Sequence, residues 1–287
     1  VDKLADGVET LFLGGFTGTG IYNLAGQPYG QIYGGAFMRA YTADGKAFDI
    51  DMPYNPDGAI IIDDDPASAT FGFPLADPLP RNLGNTNPDW LLGINSNLTY
   101  KGLTFSFVFD IKQGGSMWNG TQGALTFFGA SQLTEDRDAF GAPLTEDAFV
   151  FGRDDSKFGD KFDYDDQGAI KESDGSANDI KVGLTEDWYL GNGGGFGDVD
   201  EGFVQDASFY RLRVASLSYA LPASILSNTP FSRLDINVTG RNLLLFTPYE
   251  GVAPETGLLG SGSNGQGFDY FYMTGSRSYA VGINLSF

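Results

Sequence analysis

The sequence predicts an all-β protein, a transmembrane antiparallel β-barrel, and three observations carry that prediction. The first is the segment 277–287. Tyr279, Val281, Ile283, Leu285 and Phe287 fall on one face of a strand, while Ser278, Ala280, Gly282, Asn284 and Ser286 fall on the other. A strand has period two, so this splits an apolar surface cleanly from a small, polar one. A last strand that is apolar on one side, with nothing after it to cover that side, suits a barrel whose outer face meets lipid. The second observation is composition: 41 Gly, 24 Phe and 14 Tyr in 287 residues suit aromatic strands joined by Gly-rich turns. The third is that connections alternate sharply in length, as they do between short periplasmic turns and long extracellular loops.

Along the chain, residues 1–89 are the least legible. Leu11–Phe16, Gln31–Met38 and Ala59–Ile62 read as short strands, with Asn55-Pro-Asp-Gly58 as a turn and Asp63-Asp64-Asp65-Pro66 as a break. Five clearer strands follow. Trp90, Leu92, Ile94, Leu98 and Tyr100 alternate with Leu91, Gly93, Asn95, Asn97 and Thr99. Leu103, Phe105, Phe107, Phe109 and Ile111 alternate with Thr104, Ser106, Val108, Asp110 and Lys112. Between these two lies only Lys101-Gly102, a two-residue hairpin loop with Gly where positive φ is wanted.

The third strand spans about Ala207 to Leu221, and its alternation slips between Val214 and Leu217, which predicts a bulge near Ala215. The fourth sets Leu234, Ile236, Val238 and Leu244 against Arg233, Asp235, Asn237, Thr239 and Arg241. The terminal segment is the fifth. Pro222–Phe231 is a short connection, whereas 114–206 and 247–275 are long and are predicted to be external loops.

The absence of Cys and His removes disulfides, thiolate chemistry, His-ligated zinc and the Ser-His-Asp triad, so the chain is predicted not to be an enzyme. A formal net charge of −20 opposes nucleic-acid binding and suits solvated loops. The chain opens at Val1 without Met or a signal-like segment. It therefore reads as a mature chain after cleavage or as the tail of a longer polypeptide.

Several motifs occur in one order. Phe209-Tyr-Arg-Leu-Arg-Val-Ala-Ser-Leu-Ser-Tyr-Ala-Leu-Pro222 is followed by Val238-Thr-Gly-Arg-Asn-Leu-Leu-Leu-Phe-Thr-Pro-Tyr-Glu-Gly251, Pro254-Glu255 and the terminal segment. Upstream stand Gly26-Gln-Pro-Tyr-Gly-Gln-Ile-Tyr-Gly34, Leu83-Gly-Asn-Thr-Asn-Pro-Asp-Trp90 and Gly114-Gly-Ser-Met-Trp-Asn-Gly-Thr-Gln-Gly-Ala-Leu125 with Phe128-Gly129. Together they resemble the carboxy-terminal portion of SusC/RagA-type TonB-dependent outer-membrane transporters.

The resemblance implies about eight strands of a barrel with about 22. It also implies import of oligosaccharides or peptides, a SusD-like surface lipoprotein as lid, contact with outer-membrane lipid and lipopolysaccharide, and a Bacteroidota-type bacterial outer membrane. The family's plug domain and its TonB-contact segment are not visible in these residues, so coupling to the TonB complex is expected through a part ahead of them. The alternative is a structural or docking barrel subunit of a larger outer-membrane complex.

Strand parity gives the candidate lumen residues Asn95, Asn97, Thr99, Arg211, Arg213, Asp235, Asn237 and Arg241, which line a solute path, touch the plug or simply form a hydrated wall. Arg211 and Arg213 are expected opposite Asp235 if the third and fourth strands pair. Trp118, Trp188, Tyr189, Tyr249 and Tyr270, with Phe271 and Tyr272, are loop aromatics suited to stacking on substrate or lid, to an interfacial girdle, or to loop packing. Asp163, Asp165, Gln167 and Asp174, with Gly168 between, resemble a diluted calcium loop. The competing reading is a solvated acidic loop, and Ca2+ is the one cofactor that the sequence suggests.

Overall fold

The structure is a computed structural model. It describes residues 1–16, 18–40, 58–134, 150–152, 168–255, 257–258 and 265–287. Its elements are β1 (Thr10–Gly15), β2 (Gly20–Leu24), β3 (Gln31–Gly34), β4 (Ile60–Ile62), β5 (Arg81–Asn85), β6 (Trp90–Tyr100), β7 (Leu103–Gln113) and β8 (Ser116–Asn119). Then follow α1 (Gly120–Phe127), β9 (Ala169–Lys171), α2 (Glu186–Leu190), β10 (Val204–Asp206), β11 (Phe209–Ala220), α3 (Ala223–Leu226), β12 (Arg233–Phe246), β13 (Phe268–Asp269) and β14 (Ser278–Ser286). The protein is thus mostly β, and among the described residues no helix is long and apolar enough to cross a membrane. The chain divides into two compact units.

One unit holds 87–116, 206–256 and 272–287. Its core element is a five-stranded antiparallel sheet in the order β14-β12-β11-β7-β6. The five strands have 11, 11, 12, 14 and 9 residues in chain order. A membrane-spanning β-strand needs about 9–11. Lys101 and Gly102 both have positive φ (47° and 83°), the primed turn whose twist matches its flanking strands. Following the register across the sheet, Leu98, Phe105, Leu217, Val238 and Val281 form one continuous row. Ile94, Phe109, Leu212 and Leu244 form another. On the opposite face Asn97, Ser106, Ser216, Thr239 and Ala280 are likewise aligned, with the hydroxyls of Ser216 and Thr239 2.8 Å apart. Leu91, Val108, Phe209, Val214 and Leu245 are exceptions that carry apolar side chains onto the polar side.

The register of β11 shifts between Leu212 and Val214 against both neighbours: Arg213, two positions from the expected site, is the extra residue against β7, and against β12 it faces two residues, Asn242 and Leu243. It is matched on β12 by Asn242, which takes a positive φ of 53°. One expectation is corrected here. Although β11 and β12 pair, Arg211 lies opposite Leu245 and Asp235 opposite Ala220, at the two ends of the strands. Antiparallel pairing sends the start of β11 to the end of β12, so Asp235 meets Arg233 instead, at 2.7 Å.

The other unit holds 1–86, 117–205 and 257–271. The connection 114–206, read from the sequence as one long excursion, supplies β8, α1, β9, α2 and β10, much of which packs with residues 1–86 in this unit. β1, β2, β3 and β5 form an antiparallel sheet, β4 and β9 pair in parallel, and β8 lies between β10 and β13. Trp188 anchors one core: it is 1% exposed, with Phe151 (4.8 Å between ring centroids) and Phe73 (5.4 Å) against it and Ile60, Ile62 and Val199 in the same cluster. A second core gathers Ile21, Trp118, Phe203 and Phe268.

Gly35 sits where backbone meets backbone. Its carbonyl accepts from the N–H groups of Asp200 (2.9 Å) and Glu201 (3.1 Å), and a Cβ there would overlap the Asp198 carbonyl oxygen. Gly35→Ala is therefore expected to lose about 1–3 kcal/mol of stability in this unit. Urea unfolding followed by tryptophan fluorescence measures it, and an unchanged midpoint would show that the 198–201 segment can move aside.

Candidate functional site

The polar face of the five-stranded sheet collects the predicted lumen residues into register rows. Thr99, Thr104, Ser218 and Asn237 share one row, with the Thr99 and Thr104 hydroxyls 3.0 Å apart. Asn95 and Arg241 share another through Val108 and Val214. Asp235, with Arg233, sits near the short-turn end. At the long-connection end, Arg213 pairs with Asp110 of β7 and with Glu255, while Arg211 pairs with Glu255 as well. Arg211 Nη2 also donates to Asn242 Oδ1 at 2.9 Å, and Asn242 Nδ2 donates to the Ser276 carbonyl at 2.8 Å.

Sequence reasoning named the two arginines but gave no role to Asp110, Asn242 or Glu255. Glu255 stood in the Pro254-Glu255 motif, far along the chain from its partners. The carboxylate of Glu255 thus ties the segment after β12 to the polar face.

The second candidate lies wholly within the unit built on residues 1–86, 117–205 and 257–271. It is a cavity of about 840 Å³ walled by Phe16, Trp118, Phe196 and Tyr270 on its aromatic sides, with Thr19 and Asp200 among its polar groups. β8 carries Trp118. The next residue, Asn119, caps α1 by accepting from the Gln122 N–H at 3.0 Å, which fixes the strand-to-helix junction beside the cavity. Trp118 Nε1 donates to Asp200 Oδ1 at 3.2 Å. Burial pushes the Asp200 carboxyl above the usual carboxylate range, partly offset by Thr19, Trp118 and the Gly35 backbone. Tyr270 stacks on Trp118 (6.5 Å between centroids, 12°), and Phe16 tilts against both.

The remaining predicted residues are placed as follows. Trp188 is a core residue, and Tyr189 is buried with its hydroxyl donating to the Leu133 carbonyl at 3.0 Å. Both sit on α2, whose inward side the core requires, so neither ring presents a stacking surface. Tyr249 is also buried, whereas Phe271 and Tyr272 are exposed. Of the aromatic candidates, Trp118 and Tyr270 come together in the cavity wall, and Phe271 packs edge-on to Tyr270 with 4.9 Å between centroids. In the candidate calcium loop, Asp163, Asp165 and Gln167 lie outside the described residues. Asp174 accepts from the Ser176 N–H at 2.8 Å, and hydrogen bonds from Ser176 hold its carboxyl below the usual range. Among the described residues no group of three or more acidic side chains is arranged to hold a metal.

The chain thus presents a five-stranded antiparallel sheet that is largely apolar on one face and largely polar on the other, with long connections at one end. Comparison with known proteins narrows the class. No protein-family model matches the chain. TonB-dependent receptor P3 of Formosa agariphila is 24% identical over 266 residues, covering 91% of this chain and 22% of its own length. TonB-dependent receptor P26 of the same organism is 23% identical over 209 residues, covering 71% and 18%. In fold, the RagAB peptide importer matches in its "closed-closed" state with a TM-score of 0.53 at 19% identity, and in its "open-open" state with 0.52 at 18%. Each match covers 99% of this chain and 25% of that one. The resemblance drawn from the motifs is borne out: the chain is similar along nearly its whole length to about a quarter of a TonB-dependent receptor, and in fold to a quarter of the RagAB peptide importer chain.

Two outcomes follow for these sites. Because the folded pKa of Asp200 is raised, its contribution favours the fold below the ordinary carboxylate pKa and is lost as pH rises through the folded value. Asp200→Asn is expected to raise stability near neutral pH and to flatten its dependence above about pH 4, as read from urea midpoints between pH 4 and 8. Glu255→Ala leaves two arginines short of a partner and is expected to cost about 1–3 kcal/mol. Amide hydrogen exchange in 247–255 should speed up with it, and unchanged exchange would mean that Glu255 does not hold that segment.

Proposed function

We propose that this chain forms barrel wall and external loops of a TonB-dependent outer-membrane importer of oligosaccharides or peptides, working under a SusD-like lipoprotein lid. The reading is supported above all by the two-faced sheet. Two apolar rows, one from Leu98 to Val281 and one from Tyr100 to Ile283, run unbroken across all five strands, and Val281 (73% exposed), Ile283 (63%) and Leu98 (62%) are largely uncovered among the described residues. Lipid is the partner such a surface requires, and a hydrated solute path is what a face of Asn, Ser, Thr and paired Arg suits. The likeness to receptors and to a peptide importer supports uptake. The segments at the long-connection end would then face outward, toward solute and lid, and energy coupling would pass through a plug and TonB-contact segment outside these residues.

The decisive comparison places Arg at neighbouring positions of β14. Ile283→Arg puts a charge on the apolar face opposite Ile236 and is expected to destabilise the protein in phospholipid vesicles by about 2–4 kcal/mol. Asn284→Arg, on the polar face, is expected to cost far less. Equal costs, or a protein that stays monodisperse without detergent, would overturn the membrane reading. Uptake lost with stable membrane insertion and co-purification of several partners would point to the docking role.

A further inference from the structure

We propose that the cavity lined by Trp118, Tyr270, Thr19 and Asp200 is a binding site for an organic cation, a primary ammonium or guanidinium group. The inference concerns binding only and goes beyond transport. Its volume, about 840 Å³, lies within the range of small-molecule sites, roughly 300–1,000 Å³. Three features select the ligand's chemistry.

The first is charge. Asp200 is 8% exposed, and among the described residues no Lys or Arg lines the cavity or pairs with it. Asp77, the other buried acid of the wall, is already matched by the Arg81 guanidinium at 2.8 and 3.1 Å. A phosphate or carboxylate would therefore meet an unmatched like charge.

The second is the aromatic wall. The rings of Phe16, Trp118 and Tyr270 pack as one cluster, with centroids 5.0–6.5 Å apart, and Trp118 spends its only polar atom on Asp200. An aromatic wall beside a carboxylate favours a cation over a neutral or anionic group.

The third is an unspent polar atom. Thr19 is 2% exposed, and among the described residues the one polar group its hydroxyl leans toward is the Asp200 carboxylate, without a fully formed hydrogen bond, so its oxygen keeps its capacity to accept. A buried hydroxyl short of a full hydrogen bond is costly, and a ligand N–H would supply what it lacks. Burial of an isolated carboxylate is costly for the same reason, and an arriving cation relieves both at once.

The test uses the detergent-solubilised protein and small probes that separate the cation's possible sources: n-butylammonium for a lysine side chain, n-propylguanidinium for arginine, and glycinamide for a peptide amino terminus. Neutral 1-butanol is the isostere, and maltotriose tests a neutral sugar. Saturation-transfer NMR and calorimetric titration should show at least one cation bound about tenfold more tightly than 1-butanol. Asp200→Asn should abolish that preference with the circular dichroism spectrum unchanged, and Thr19→Val should weaken it about threefold. The wild-type comparison of cation and isostere needs no variant, so a folding defect cannot hide the answer. Equal binding of 1-butanol, a cation preference that survives Asp200→Asn, binding of maltotriose alone, or binding of no probe would each overturn the proposal.

Discussion

The register of the five-stranded sheet is the constraint from which the rest of that unit follows. Side chains alternate with period two, so a slip of one residue in any strand would exchange its apolar and polar faces. The sequence contains such a slip: Tyr210 and Leu212 have one parity, Leu217 and Tyr219 the other. The fold absorbs it by making Arg213 the extra residue of a bulge. Asn242, in left-handed conformation on the facing strand, completes the irregularity, and its short amide side chain tolerates that conformation better than most. The large apolar side chains then stay on one face from β6 to β14. The bulge also sets Arg213 where it reaches both Asp110 and Glu255, so the irregularity that preserves the apolar face also creates the charge cluster on the polar one.

The other unit depends on close backbone approach. Gly195 donates to the Gly123 carbonyl at 3.0 Å, and Gly35 accepts from the 200–201 turn. These approaches bring segments more than seventy residues apart into contact without intervening side chains, and the freed space goes to large rings. Trp188 fills one core and Trp118 edges the other. The glycine richness that reads as turn chemistry in the sequence is, in this unit, a packing device as well.

What the sequence disclosed follows from which interactions are local. The strands of the sheet were legible almost to the residue: β6 at 90–100 as expected and β7 one residue longer, because alternation and the Lys101-Gly102 turn are short-range signals. The pairing of Arg211 and Arg213 was not legible, because it depends on the bulge position and on an acid more than forty residues away. Trp188 and Tyr189 sit in a segment whose periodicity is too short to separate a core turn of helix from an exposed loop, and their burial was set by tertiary packing. The cavity was legible only in Trp118 and Tyr270. Asp200 belongs to a run of Gly and Asp that looks solvated in one dimension, and Thr19 carries no pattern at all.

Charge matching distinguishes the two candidate sites. On the sheet, Arg211 and Arg213 meet Asp110 and Glu255, so two cations are balanced by two acids and the cluster has little net pull on a solute. Breaking it would leave charge unmatched, which is the behaviour of a structural tie. Among the described residues the cavity lacks that balance: Asp77 has Arg81, while Asp200 has an indole N–H and a raised pKa in place of a cation. A protein of net charge −20 draws cations toward every part of its surface, yet it discriminates among them only where a carboxylate is partly dehydrated and walled by rings. A buried acid that its own fold leaves unmatched is the feature that separates a ligand-seeking group from the paired charges around it.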